Sequence, residues 1–192
     1  MELKQSELDA IKSNPLEAIV DIMDTYGTEI KKFVYMYLKN EADTEDVTQE
    51  VFVSVYQNIH TFKGNSSLKS WIYSIAANKC KNHLKRDRLR HFNLIERLTQ
   101  QESSISSKQE DLSELYLQNS LNKGLFEKVM DLPIKYREVV ILYYYKELSI
   151  KDISAILNEK ESTLQSRLLR SRKKLKDSML NEVGGHHSWI NN

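Results

Sequence analysis

The sequence predicts an all-α fold of two small helical domains joined by a flexible linker. Only five Gly and two Pro occur among 192 residues, too few for the turns that short strands and hairpins require. Leu, Lys, Glu and Gln, which favour helices, are abundant. Residues 100–110, rich in Gln and Ser, have a linker composition. We therefore predict domains at 1–92 and 121–180, a linker at 93–120 and a tail at 181–192.

Positive charge is concentrated in two stretches of this nearly neutral chain. Asn78–Arg90 and Leu164–Lys176 together hold twelve of the 28 Lys and Arg and only one acid, Asp87. Such clusters on predicted helices are typical of nucleic-acid binding. The sequence contains no phosphate-binding Gly-rich loop, no metal-spaced His or Cys cluster and no inward carboxylate pair. We therefore predict a protein that is not an enzyme and needs no cofactor or metal.

The single cysteine, Cys80, excludes an internal disulfide. No apolar run approaches the roughly 20 residues of a membrane span, and Met1–Ile11 is acidic and amphipathic, unlike a secretion signal. We predict a cytoplasmic protein without direct membrane insertion. Cys80 shares a helical face with Ala76 and Leu84, which favours a buried structural thiol over a redox sensor.

The first half begins with apolar residues spaced three and four apart over Pro15–Lys39, which predicts one amphipathic helix or a pair broken near Gly27. A second helix is predicted to begin at Asp43. Its inward face is Val47, Val51, Val55 and Ile59. Its outer face is Glu45, Asp46, Gln49 and Glu50. No Lys or Arg falls between Asn40 and Phe62, so this outer face is acidic and favours a protein partner over DNA.

A loop sequence, Lys63-Gly64-Asn65-Ser66-Ser67, precedes the third predicted helix, with Ser66 or Ser67 as its cap. Trp71, Ile72, Ile75 and Ala76 begin the helix, which continues into the first basic cluster. There a polar stripe lies apart from the apolar one and contains Asn78, Lys81, Asn82 and Lys85.

The second half has the form of a helix-turn-helix. Pro133 fits the first turn of a helix, and Tyr143–Tyr145 are most simply core and interface residues. Ser149 with Asp152 predicts a capped helix start, and residues 158–160 form a short break. A basic helix over Glu161–Leu180 follows. Its inward residues are Leu164, Leu168, Ser171 and Leu175.

These segments resemble, in order and spacing, those of bacterial RNA polymerase sigma factors of the sigma-70 family, extracytoplasmic-function (ECF) subfamily. Residues 43–52, DTEDVTQEVF, resemble the helix that docks the first sigma domain on polymerase. Residues 62–64, FKG, with 68–78, LKSWIYSIAAN, resemble the segment that melts and reads the promoter minus-ten element.

The second half carries the rest of the resemblance. Residues 132–139, LPIKYREV, with 148–154, LSIKDIS, resemble the start of the domain that reads the minus-thirty-five element, and residues 164–175 resemble its recognition helix. The chain departs from the pattern at Asn158, where Gly is usual, and at Glu159, where an apolar residue is usual. Asn tolerates the left-handed conformation of such a turn.

The resemblance implies a promoter-specific initiation factor that binds core RNA polymerase, both promoter elements in duplex DNA, and the unpaired non-template strand. It also implies an anti-sigma factor as partner, which in many relatives is membrane-anchored. The predicted polymerase-docking residues are Asp43, Glu45, Asp46, Gln49 and Glu50.

The DNA contacts fall into two groups. Short polar side chains suit base edges and cations suit phosphates. For the minus-thirty-five element we predict Ser162, Thr163, Gln165, Ser166, Arg167, Arg170, Arg172, Lys173 and Lys174. For the minus-ten element and melting we predict Phe62, Lys63, Asn65, Ser66, Trp71, Asn78, Lys81, Asn82 and Lys85. Trp71 fits a stacking platform and a core position equally well, and Gln165 replaces a residue that is commonly basic in the family.

The main alternative is a regulator that binds duplex DNA through the helix-turn-helix alone and dimerises or senses through its N-terminal half. The glycine loop and first basic helix favour a sigma factor, because such a regulator has no need of them. A nucleic-acid enzyme is the third class, and the missing catalytic motifs argue against it.

Overall fold

A computed structural model describes residues 13–97 and 123–185, and within them it confirms the all-α prediction with seven α-helices and no strand. The chain divides into two compact units, Met1–Ser113 and Glu114–Asn192. The described part contains no helix long and apolar enough to cross a membrane. Most of the predicted linker and tail lie outside the described residues, so the domain limits remain predictions.

Among the described residues, the first unit has three long helices: α1 (Pro15–Leu38), α2 (Glu41–Asn58) and α3 (Leu68–Arg97), with a short 3-10 turn (Ile59–Thr61) after α2. Lys39 ends α1 in the left-handed conformation (φ 58°). The Asn40 side chain then accepts a hydrogen bond from the backbone N–H of Asp43 at 2.9 Å. Because Asn40 is the cap, α2 begins at Glu41; its predicted start at Asp43 was wrong.

The core of the first unit lies where the three helices meet. The Phe33 ring packs edge-on against Tyr37 and Tyr73, with both centroids 5.0 Å away. The four inward residues predicted for α2 are all buried. Cys80 is buried as predicted, and desolvation raises the pKa of its thiol, which keeps the thiol protonated. Burial of this kind makes the first unit a rigid support for surface side chains.

Gly27 lies inside α1, which continues through it as a single helix. A Cβ at this position would meet no atom within 4 Å. We expect Gly27→Ala to raise the free energy of unfolding by about 0.5–1 kcal/mol, because Ala loses less backbone entropy in a helix. Urea unfolding followed by circular dichroism measures this; a destabilised variant would contradict the open geometry around Gly27.

Between residues 123 and 185, the second unit has four shorter elements and one long helix: α4 (Lys123–Asp131), α5 (Ile134–Val140), a π-helical turn (Ile141–Tyr145), α6 (Ile150–Leu157) and α7 (Glu161–Gly185). Pro133 has an extended ψ of 142°, so it caps α5 and does not lie in its first turn as predicted. Its carbonyl accepts hydrogen bonds from the backbone N–H groups of Tyr136 and Arg137. Helix α7 continues beyond its predicted end at Leu180.

The tyrosine run was predicted as core and interface, and the core part of that prediction was wrong. Tyr144 and Tyr145 are exposed and Tyr143 is half-buried, while Ile141 and Leu142 take the core positions. Val139, Val140, Ile141 and Leu142 already fill the core at this point of the chain, so the tyrosines that follow lie at its edge. The tyrosines therefore form part of the surface next to α7.

Candidate functional site

Helices α6 and α7 and the turn between them form a helix-turn-helix. The Ser149 hydroxyl accepts a hydrogen bond from the Asp152 backbone N–H at 3.1 Å and begins α6, as predicted. Asn158 ends α6 in the left-handed conformation (φ 53°, ψ 48°), also as predicted. Leu164 and Leu168 are buried, so the opposite face of α7 is directed to solvent.

The first two turns of α7 present short polar side chains on this outer face. Thr163 is half-buried, and the exposed predicted residues are Ser162, Gln165, Ser166 and Arg170. Leu169 lies between them and is 67% exposed. Leu169 was not among the predicted contacts, although its signal is present in the sequence: it is an apolar residue outside the inward series of α7. An apolar side chain among residues predicted to contact bases is suited to a thymine methyl group.

Cations follow along the second half of α7. Arg172, Lys173 and Lys174 are all exposed. Arg172 Nε donates a hydrogen bond to the Tyr144 hydroxyl at 2.7 Å, and its guanidinium lies 5.7 Å from that ring. The exposed tyrosine thereby orients one of the cations predicted to contact phosphate.

Arg167 differs from the other predicted DNA contacts. Its side chain is 20% exposed and lies against two carboxylates. Nη1 is 3.2 Å from Glu138 of α5, and Nη2 is 2.6 Å from Glu159 of the turn. The Arg167 guanidinium is therefore half-buried and held between α5 and the turn that precedes α7.

In the first unit, the loop between the 3-10 turn and α3 exposes Lys63 and Asn65, and Ser66 is half-exposed. Gly64 has a φ of 72°, a conformation that favours glycine, and reverses the chain between them. Ser67 is the cap of α3, because its hydroxyl accepts a hydrogen bond from the Ser70 N–H at 3.1 Å. The loop is thus held at both ends with its polar side chains outward.

Phe62 and Trp71 lie beneath this loop. Phe62 is only 3% exposed, and its ring centroid is 5.2 Å from that of Trp71. Trp71 is half-buried, so part of its indole ring remains accessible. Phe62 is therefore placed to support the loop, whereas Trp71 keeps surface available.

Helix α3 directs its polar residues to two faces. Asn78, Asn82 and Lys85 are exposed and Lys81 is half-exposed. Lys79, His83 and Arg86 face α2: Lys79 is 3.7 Å and Arg86 3.4 Å from Glu50, and His83 Nε2 is 3.4 Å from Asp43. These pairs were not predicted, because the pattern within one helix does not show which helix packs beside it.

The predicted docking residues of α2 have different environments. Glu45 and Gln49 are exposed, and a hydrogen bond and the charge of Lys31 lower the pKa of the Glu45 carboxyl. Asp46 is exposed and makes no ion pair within the described residues. Glu50 is half-buried against its two cations. Asp46 is consequently the acid of this face most available to another protein.

An apolar groove of about 690 Å³ between α1 and α2 adjoins these acids. Its apolar lining includes Ile19, Met23, Phe52, Val53 and Tyr56. Glu45 and Gln49 belong to both the groove and the acidic face. The sequence contained a signal for this groove, because Val53 and Tyr56 are apolar but fall outside the inward series of α2. In the structure they are 54% and 41% exposed.

Comparison with known proteins identifies both units. Sigma-70 region 2 matches residues 22–90, and Sigma-70 region 4 matches residues 126–175. The ECF RNA polymerase sigma factor SigW of Bacillus subtilis is 28% identical over 183 residues, which cover 91% of this chain and 96% of SigW. The ECF sigma factor SigM of the same organism is 29% identical and covers 82% of this chain and 93% of SigM.

A solved structure has a similar fold. The sigma factor RpoE of Bartonella quintana, in complex with the anti-sigma factor NepR, superposes with a TM-score of 0.65 at 19% identity. The match covers 84% of this chain and 96% of that one.

Proposed function

The chain belongs to the sigma-70 family of RNA polymerase sigma factors, and we propose that it acts as an ECF sigma factor through three surfaces described above. One observation carries this function: a unit with an exposed glycine loop beside a basic helix precedes a unit with a helix-turn-helix in one chain. The glycine loop with the basic helix suits unpaired DNA, and the helix-turn-helix suits duplex DNA. A regulator of duplex DNA alone would have no use for the first.

The docking surface for core RNA polymerase is the outer face of α2 with the adjoining groove. Asp46, Glu45 and Gln49 supply an acidic and polar rim, and Val53 and Tyr56 supply apolar contact area. Protein interfaces combine an apolar centre with a polar rim in this way. A partner helix with apolar and basic residues would be complementary to both parts.

Strand opening is assigned to the loop and the outer face of α3. An extruded base costs a few kcal/mol of stacking and pairing, which the protein must offset with a pocket and backbone contacts. Lys63, Asn65 and Ser66 offer a cation and hydrogen bonds, and the exposed part of the Trp71 ring offers a surface on which a base could stack. Asn78, Lys81, Asn82 and Lys85 continue the polar path along α3 for the adjacent DNA.

Recognition of the minus-thirty-five element is assigned to α7. Ser162, Thr163, Gln165, Ser166, Leu169 and Arg170 would face the bases, and Arg172, Lys173 and Lys174 would contact phosphates. No covalent chemistry is required at any of these surfaces, so the chain assists polymerase without being an enzyme itself.

Gln165→Ala is expected to reduce discrimination at the upstream element by about 1–3 kcal/mol, because an exposed glutamine can pair with adenine through two hydrogen bonds. Binding of polymerase holoenzyme to a promoter and to its single-base variants at each upstream position measures the loss. The effect should fall on one base pair. An equal loss at all positions would remove the assignment of Gln165 to a base.

An anti-sigma factor is a further proposed partner, supported by the fold shared with a sigma factor that was solved in such a complex. The chain would work in the bacterial cytoplasm, where polymerase and chromosome are. The family alone supports this location.

Run-off transcription of genomic fragments with core polymerase tests the function as a whole. We expect the chain to direct transcripts from discrete starts that core polymerase alone does not produce. Tight binding of the isolated chain to one duplex site, without any promoter-specific transcript, would favour the duplex-only regulator instead.

A further inference from the structure

Arg167 joins three segments of the second unit. Its guanidinium contacts Glu138 of α5 through Nη1 and Glu159 of the turn through Nη2, while its backbone belongs to α7. The Glu138 side chain is only 4% exposed, so its charge needs partners inside the protein. A planar guanidinium can direct two N–H groups to two carboxylates at once, whereas an ammonium is a point charge without this fork.

The turn is held from both sides. The Glu159 backbone N–H donates to the Ser154 carbonyl at 3.2 Å, and the Ser154 hydroxyl donates to the Glu159 carbonyl at 2.6 Å. These bonds tie the backbone of Glu159 to α6, and its carboxylate is tied to α7 through Arg167. Ser171, one turn further along α7, is buried and donates to the Arg167 carbonyl at 2.7 Å. Polar contacts at the turn therefore add to the packing of the buried Leu157, Leu164 and Leu168 in fixing α7 relative to α6.

We infer that Arg167 is a positioning residue for promoter recognition and not a phosphate contact. Together with Glu138 and Glu159 it forms a clamp that fixes the outer face of α7 for the bases. Glu159 is the position at which the family resemblance leads one to expect an apolar residue. In this chain an ion pair performs the fixing that apolar packing would otherwise provide. The inference rests on the proposed recognition of duplex DNA by α7.

A pair of charge-matched variants tests the clamp in the full chain bound to core polymerase. Glu159→Gln weakens the clamp, and Glu161→Gln removes the same charge from an exposed position at the start of α7. The probes are a promoter fragment mapped by run-off transcription and the same fragment with its upstream element scrambled. The readout is the ratio of the two dissociation constants.

The clamp and a phosphate contact predict opposite results. If Arg167 positions α7, Glu159→Gln lowers the discrimination ratio by about tenfold relative to Glu161→Gln. If Arg167 is a phosphate contact that Glu159 restrains, Glu159→Gln releases it, and affinity for both fragments rises with the ratio unchanged. That second result, or identical ratios for the two variants, would overturn the inference.

Salt dependence gives a second, independent measurement. Lys173→Ala removes a proposed phosphate contact. It should reduce the slope of log affinity against log salt by about one and weaken the binding of both fragments by the same factor. Arg167→Lys should leave this slope unchanged, since the charge remains. It should nevertheless lower the ratio of the two dissociation constants, because lysine lacks the two N–H groups that contact Glu138 and Glu159. Retention of the full ratio by Arg167→Lys would contradict the clamp. If the unmodified chain gave no promoter-specific transcript with core polymerase, the proposed function itself would be refuted.

Discussion

Asp46→Lys should weaken the binding of core RNA polymerase by about hundredfold, because like charges brought together at an interface cost several kcal/mol. Asp46 is the best position for this test. It is exposed on α2 and forms no ion pair within the described residues, whereas Glu45 is bound by Lys31 and Glu50 by two cations of α3. Fluorescence anisotropy of the labelled chain, titrated with core polymerase at two salt concentrations, measures the change.

Asp21→Lys is the matched control for charge. Asp21 is exposed on α1 and lies on the opposite side of that helix from the groove-lining Ile19 and Met23. The control should retain nearly full affinity. Equal affinities for the two variants would remove the docking surface from α2, provided circular dichroism gives the same helix content for both.

Combined replacement of Lys63 and Asn65 by Ala should slow open-complex formation by about tenfold or more and leave the initial binding of duplex promoter nearly unchanged. Unpaired bases lose stacking worth a few kcal/mol, and contacts from an exposed loop can offset that cost only after the strands separate. Permanganate reactivity of unpaired thymines over time measures opening. Mobility shift at low temperature measures the initial complex.

Lys63→Arg is the conservative companion and should keep most of the opening rate, because it retains the charge next to Gly64. Binding of the holoenzyme to a single-stranded minus-ten oligonucleotide should fall in the double variant but not in Lys63→Arg. If duplex binding and opening decreased equally, the loop would be a general DNA contact and not a site for captured bases.

Local signals explain what the sequence could predict. Ser149 and Ser67 cap helices through a backbone N–H three residues away, and Asn158 needs only its own left-handed conformation. Such features depend on a few neighbouring residues and can therefore be predicted from the sequence. The predicted start of α2 was two residues late. The cap, Asn40, is also a local signal, but it was not recognised.

Long-range contacts explain what the sequence could not predict. Arg167 reaches Glu138 across 29 positions, and Arg86 reaches Glu50 across 36. Which cations of a basic helix stay available depends on the helix packed beside it, and no periodicity within one helix contains that information. The prediction that the tyrosine run is core was wrong, because Ile141 and Leu142 already occupy the core positions of the turn.

The ion pairs between α2 and α3 have a consequence for the chain before it meets polymerase. A chromosome offers an enormous number of nonspecific sites, and attraction to them grows with each cation available to phosphate. Glu50 already neutralises part of the charge of Lys79 and Arg86. We therefore expect the unbound chain to bind nonspecific DNA less tightly than the cations counted in its first basic stretch alone would suggest.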